Sequence, residues 1–168
     1  MSKTVRVAAV LLVFVVIVFG WYRWYLNSHH LSFVPRELGV TSVDYSEEKS
    51  WGFGPGGNET GFLAYTMPPQ VAEKIERDGL KFFQGLRSDY WNWSSTPVVR
   101  NNNWGREQPL TISGYLGHYG FMIEVDRNLE AEAATALNQP GNFYAYARGG
   151  RMIVVVPQSR RVFVVYAG

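Results

Sequence analysis

The stretch Phe143–Ala167, FYAYARGGRMIVVVPQSRRVFVVYA, decides how the fold is read. Three short runs rich in β-branched and aromatic residues are separated by Gly149-Gly150 and by Gln158–Arg161, so the stretch predicts an antiparallel meander of three strands. The last two runs, Met152–Val156 and Val162–Ala167, are apolar at nearly every residue. A strand with one wet face alternates, so these two must be covered on both faces. The rest of the chain has to supply two layers of cover.

Two helices are expected. Pro68 and Pro69 open the first, where a missing N–H costs nothing; Val71, Ala72 and Ile75 form its apolar stripe, and Gly79 stops it. Asp126 caps the second, with Leu129, Ala133, Ala136 and Leu137 on its inner side. Strands are expected at Gly39–Ser46, Gly61–Met67 and Tyr119–Val125, with turn-rich connections around Ser46–Thr60 and Gly105–Gly117. The fold class is therefore α+β, an antiparallel sheet packed on two helices. If both helices share one face, bulky cover for the other must come from the connections.

The N-terminus is of a different kind. Val7 to Tyr22 is apolar, Lys3 and Arg6 precede it, and Trp21, Tyr22, Arg23, Trp24 and Tyr25 follow as an interfacial belt. The run reaches the roughly 20 residues of a membrane helix if Arg23 snorkels to the interface. Charged residues make up only 18% of the chain, against about 25% in soluble proteins. With Lys3, Arg6 and Arg23 set aside, acids slightly outnumber bases, so the net charge of +2 comes from the flanks of this segment and no nucleic-acid surface is implied. The expected organisation is a signal anchor over residues 1–26, N-terminus in the cytoplasm, meeting the bilayer through residues 7–26. A solvated linker at residues 27–37, including His29 and His30, then leads to an exported domain at 38–168. The competing reading is a cleaved signal peptide with Val18-Phe19-Gly20 as its site. The anchor is favoured because a discarded peptide has no use for the belt.

No motif names a reaction. The chain has no Cys, which excludes disulfides, thiol nucleophiles and Cys-held metals. Gly52–Gly61 is glycine-rich but leads into a strand rather than a helix, so it is not a phosphate cradle. His118, with Ser113 before it and Glu124 after it, is the material for a hydrolase, yet no nucleophile elbow accompanies it. Glu47 and Glu48 read as solvated charge. Arg148, Arg151, Arg160 and Arg161 sit at the meander's two turns, at opposite ends of the strands, and read as solubilising charge rather than one anion patch. No metal or cofactor site is read from the sequence.

The strongest candidate for contact is Asp89–Trp104, DYWNWSSTPVVRNNNW, which carries Trp91, Trp93, Trp104 and Asn102 without an evident helix or strand period. Indole faces stack on sugar rings and amides pair with hydroxyls. The same indoles could instead plug the uncovered sheet face, and that use is the favoured one. The functional expectation is a membrane-anchored, non-enzymatic binding or assembly module of the cell envelope, with an inhibitor or immunity protein as one form of it. It would stand on the periplasmic or extracellular side of the inner membrane, bound to an envelope protein. A glycan-binding anchor using Trp91 to Trp104 is the alternative, and a hydrolase using His118 and Glu124 the second.

Overall fold

The structure, a computed structural model, describes residues 3–50, 59–86, 88–101, 107–119 and 122–168. Among them the meander forms as expected: β6 (Phe143–Ala147), β7 (Arg151–Val156) and β8 (Arg161–Ala167) pair antiparallel in sequence order. They form the middle of a six-stranded antiparallel sheet. It is extended on one side by β2 (Glu59–Thr66) and β1 (Tyr45–Ser50), and on the other by β3 (Trp91–Ser95). The spatial order is β1-β2-β8-β7-β6-β3. A second, two-stranded ladder joins β4 (Val99–Asn101) to β5 (Glu107–Pro109).

Helix α1 (Lys3–Leu31) precedes the sheet, α2 (Pro69–Asp78) follows β2, and α3 (Ile112–Tyr119) and α4 (Arg127–Asn138) lie between β5 and β6. The α2 stripe is as read, with Ala72 and Ile75 buried, and Gly79 ends the helix at a positive φ of 56°. The Asp126 carboxylate accepts hydrogen bonds from the backbone N–H groups of Asn128 at 2.9 Å and Leu129 at 3.1 Å, capping α4.

Both faces of β7 and β8 are covered, but not by the arrangement expected. On one face Leu63, Tyr65, Ile153, Val155, Val162 and Val164 pack under α2, Phe83 and the chain that follows α1. On the other, Phe62, Met152, Val154, Phe163 and Val165 pack under α3 and α4. The helices thus take opposite faces, which removes most of the demand for Trp as cover.

Two strand assignments are corrected. Residues 122–126 of the expected third strand are irregular, and α3 occupies part of the expected connection before it. Ile112 and Leu116, four apart, are buried, and the Thr111 hydroxyl accepts the Gly114 N–H at 3.1 Å; this is a helix start hidden among glycines. The first strand begins at Tyr45 rather than Gly39 and runs on through SEEKS. Its polar residues fit because β1 is an edge strand with little to bury, and charge on an edge discourages further pairing.

Candidate functional site

By length and composition α1 can cross a membrane: Leu11–Leu31 is 21 residues with a mean hydropathy of 1.4. Leu11 through Tyr25 are exposed, including all five belt residues Trp21, Tyr22, Arg23, Trp24 and Tyr25. Along one side of the helix rings recur every fourth residue, Trp21 to Tyr25 at 6.0 Å, Tyr25 to His29 at 6.4 Å and His29 to Phe33 at 4.8 Å. This ladder leads from the belt into the domain.

The expected solvated linker is instead a packed joint. The helix continues past Leu26 to Leu31, and His30 is only 6% exposed, as buried as Phe33, Val34 and Leu38 beyond it. The last carbonyls of a helix have no partner within it and must find one or pay for desolvation. Here turn bonds just after the helix provide some, the Phe33 N–H donating to the His30 carbonyl at 3.1 Å and the Val34 N–H to the Leu31 carbonyl at 3.2 Å, and the domain adds others. The Tyr65 hydroxyl, from β2, donates to the His30 carbonyl at 2.8 Å, and the Tyr90 hydroxyl, from just before β3, donates to the Phe33 carbonyl at 2.9 Å. His30 Nε2 lies 2.8 Å from Glu48 Oε2, and the Tyr166 hydroxyl donates to Glu48 Oε1. Glu48, read from the sequence as solvated charge, is therefore a bridge between the end of α1 and the sheet.

The packing around these bonds is aromatic. Phe33 meets the Tyr166 ring edge-on at 5.6 Å, and the Tyr166 ring covers Gly61 so closely that a Cβ there would fall 2.2 Å from it. Arg151 lies over the Phe33 ring at 4.0 Å. Burial raises the Tyr65 and Tyr90 hydroxyls well above their ordinary range, and the Arg151 guanidinium beside them pulls both part of the way back. Both phenols remain neutral donors at physiological pH.

Beside the joint lies a groove of about 520 Å³, lined by Ser28 and Ser32 at the end of α1 and by Asp89, Tyr90 and Arg151. The four C-terminal arginines do not form one patch. Arg148 and Arg151 stand at the α1 end of the meander, and Arg160 and Arg161 at the far end. There Arg161 Nη1 binds Asp44 Oδ2 at 2.9 Å, with Glu132 3.9 Å from its Nε.

The Trp stretch divides. Asn92 adopts a positive φ of 55° and the pairing of β3 with β6 shifts register between Trp91 and Ser94, so the two indoles are not placed as in a regular extended strand. Trp93 is half-buried and stacks on Phe83 at 4.1 Å, against the α2-side core. Its Nε1 is buried without a hydrogen-bond partner among the described residues. Trp91 stays 44% exposed. Both line a shallow groove with Leu80, Gln84 and Asn92. Trp104 and Asn102 lie outside the described residues, as does most of the glycine-rich loop.

Glu124 is exposed in the irregular segment before α4, and the His118 side chain lies outside the described residues. Among the described residues no cluster of three His, Asp or Glu could hold a metal ion. No protein-family model, curated protein or solved structure matches the chain.

Sequence reasoning missed His30, Glu48, Tyr65, Tyr90 and Arg151 as a set. One signal was present: His29 and Phe33 continue, at four-residue spacing, the aromatic series begun by Trp21 and Tyr25, which argues for helix rather than linker.

Proposed function

We propose that the protein is a membrane-anchored binding or assembly module of the cell envelope, without catalytic activity of its own. The observation that supports this reading is the joint: the anchor helix enters the domain unbroken, and domain tyrosines bind the carbonyls of His30 and Phe33. A domain fixed in this way keeps one height and one angle over the bilayer, which serves a module that must present a surface to a neighbour. In this reading the N-terminus is cytoplasmic because Lys3 and Arg6 precede the span, and the domain stands on the periplasmic or extracellular side of the inner membrane. An inhibitor or immunity protein acting on an envelope enzyme is one form such a module takes.

Extraction in mild detergent followed by mass measurement of the intact particle tests the proposal. A complex of fixed stoichiometry with a second envelope protein is expected. A bare monomer at every detergent concentration would sink it.

A second reading is supported by Trp91, exposed beside Asn92 at the rim of an aromatic groove. It makes the domain a glycan-binding anchor. Retention on peptidoglycan that drops when Trp91→Ala is introduced favours it, and equal retention by parent and variant removes it. No contact among the described residues adds to the hydrolase reading of His118 and Glu124.

A further inference from the structure

We propose that the groove at the anchor–domain joint holds the headgroup phosphate of a membrane phospholipid, with Arg151 and Arg36 as its cationic partners. The inference goes beyond the partner-binding reading but shares with it the identity of α1 as the anchor.

Arg151 carries the argument. It is half-buried; its guanidinium hydrogen-bonds the Tyr90 side chain, but its Nε is buried with no hydrogen-bond partner among the described residues. Among the described residues no carboxylate forms an ion pair with it. Glu48, the acid at the joint, is taken by His30 and Tyr166. A partly buried cation without a close ion pair is costly, and the Phe33 ring face, the Tyr90 hydroxyl and Asp89 in the same groove offset only part of that cost. An anion in the groove would repay the rest.

The groove's position selects the source of that anion. The helix rises about 1.5 Å per residue, so Ser28 stands roughly 4.5 Å and Leu31 roughly 9 Å beyond Tyr25, the last belt residue. The headgroup layer of a leaflet is about 5–7 Å deep. The Ser28 wall therefore lies at the level where phospholipid phosphates are concentrated, and Arg36 opens onto the same groove. Its volume of about 520 Å³ suits a headgroup. Guanidinium forks match phosphate oxygens, and Ser28 and Ser32 add hydroxyls. Asp89 in the lining leaves one acid against two arginines, so the groove accepts a phosphate that carries an ammonium group as well as a purely anionic one.

The test uses the full chain in mild detergent, titrated with dioctanoyl phosphatidylethanolamine and followed by native mass spectrometry. One saturable adduct is expected, with none for dioctanoylglycerol, which has the same chains and no phosphate. Arg36→Gln, an exposed position whose loss leaves the core intact, should weaken the adduct by about tenfold or more, and Arg151→Gln should abolish it. Equal binding of dioctanoylglycerol, or an adduct unchanged in Arg36→Gln, overturns the inference. Displacement of the lipid by millimolar inorganic phosphate overturns it too, because the site would then belong to free phosphate. Release of the chain from membranes by alkaline carbonate refutes the anchor and the inference together. Retention in the membrane without an adduct refutes the inference alone.

Discussion

Arg151 and Arg161 hold the same place in the sequence, each the first residue of an apolar strand after a turn, and they have opposite fates. Arg161 opens onto solvent, where Asp44 and Glu132 neutralise it. Arg151 lies over Phe33, where the chain just after α1 closes over the sheet. The far end of the meander is a surface with ordinary ion pairs, and the α1 end is an interface within the molecule. Local sequence set the charge, and what docked against each turn set its cost. Energetically, the α1 end should be sensitive to single atoms and the far end tolerant.

The largest expected effect breaks the α1 end at its turn. Gly150 has φ +60°, and a Cβ there would lie 2.2 Å from the Ala167 carbonyl oxygen, which is backbone and cannot swing aside. Gly150→Ala should therefore cost more than about 3 kcal/mol, seen as a large fall in the unfolding midpoint of the full chain in detergent. Gly149 has φ +72° with nothing within 4 Å, so Gly149→Ala should cost only about 1–2 kcal/mol, from backbone strain alone.

Next is the joint itself. Tyr90→Phe deletes the hydroxyl that satisfies the Phe33 carbonyl, leaving a buried acceptor unpaired, and should cost about 1–3 kcal/mol in the same measurement. An alkaline scan sharpens the point. Tyr65 and Tyr90 ordinarily ionise near 10.0, and burial holds both well above that when folded. A raised folded value means that the stability they contribute is complete below the unfolded pKa and lost as pH climbs beyond it. The midpoint should fall above about pH 10 in the parent and fall less steeply when both tyrosines are Phe. Equal slopes would show that the two phenols are hydrated.

The smallest effect belongs to the far end. Arg161→Ala removes ion pairs whose side chains are about one third exposed, so its cost should stay within about 1 kcal/mol and shrink further in high salt. A loss matching that of Tyr90→Phe would erase the distinction between the two ends.

Much of this architecture is legible in the residues. The meander, α2, α4 with its Asp126 cap, and the apolar length of α1 each follow from periodicity and punctuation that neighbours reinforce. The failures have identifiable causes. β1 hides because an edge strand need not be apolar. α3 hides because Gly114 and Gly117 dilute a stripe resting on Ile112 and Leu116. The irregular 122–126 segment resembles a strand because Ile123 and Val125 pack onto the α4-side core without pairing to anything in the sheet. At the candidate sites, the chemistry of Trp91 and Trp93 was readable but their division was not, because it depends on the backbone turning over at Asn92.

By itself the sequence determined that β7 and β8 would be covered on both faces, since no other environment suits runs without a polar residue. It also determined that an apolar helix with an aromatic end would precede them. Only the tertiary structure decided which helix covers which face, and that residues 27–34 are a joint rather than a tether. Hydrophobic pattern specifies how much surface must be buried, and it is indifferent to the partner. The joint is specified by directional bonds, from Tyr65 and Tyr90 to carbonyls 35 and 57 residues away in the chain. Distances of that kind leave no periodic trace in a sequence.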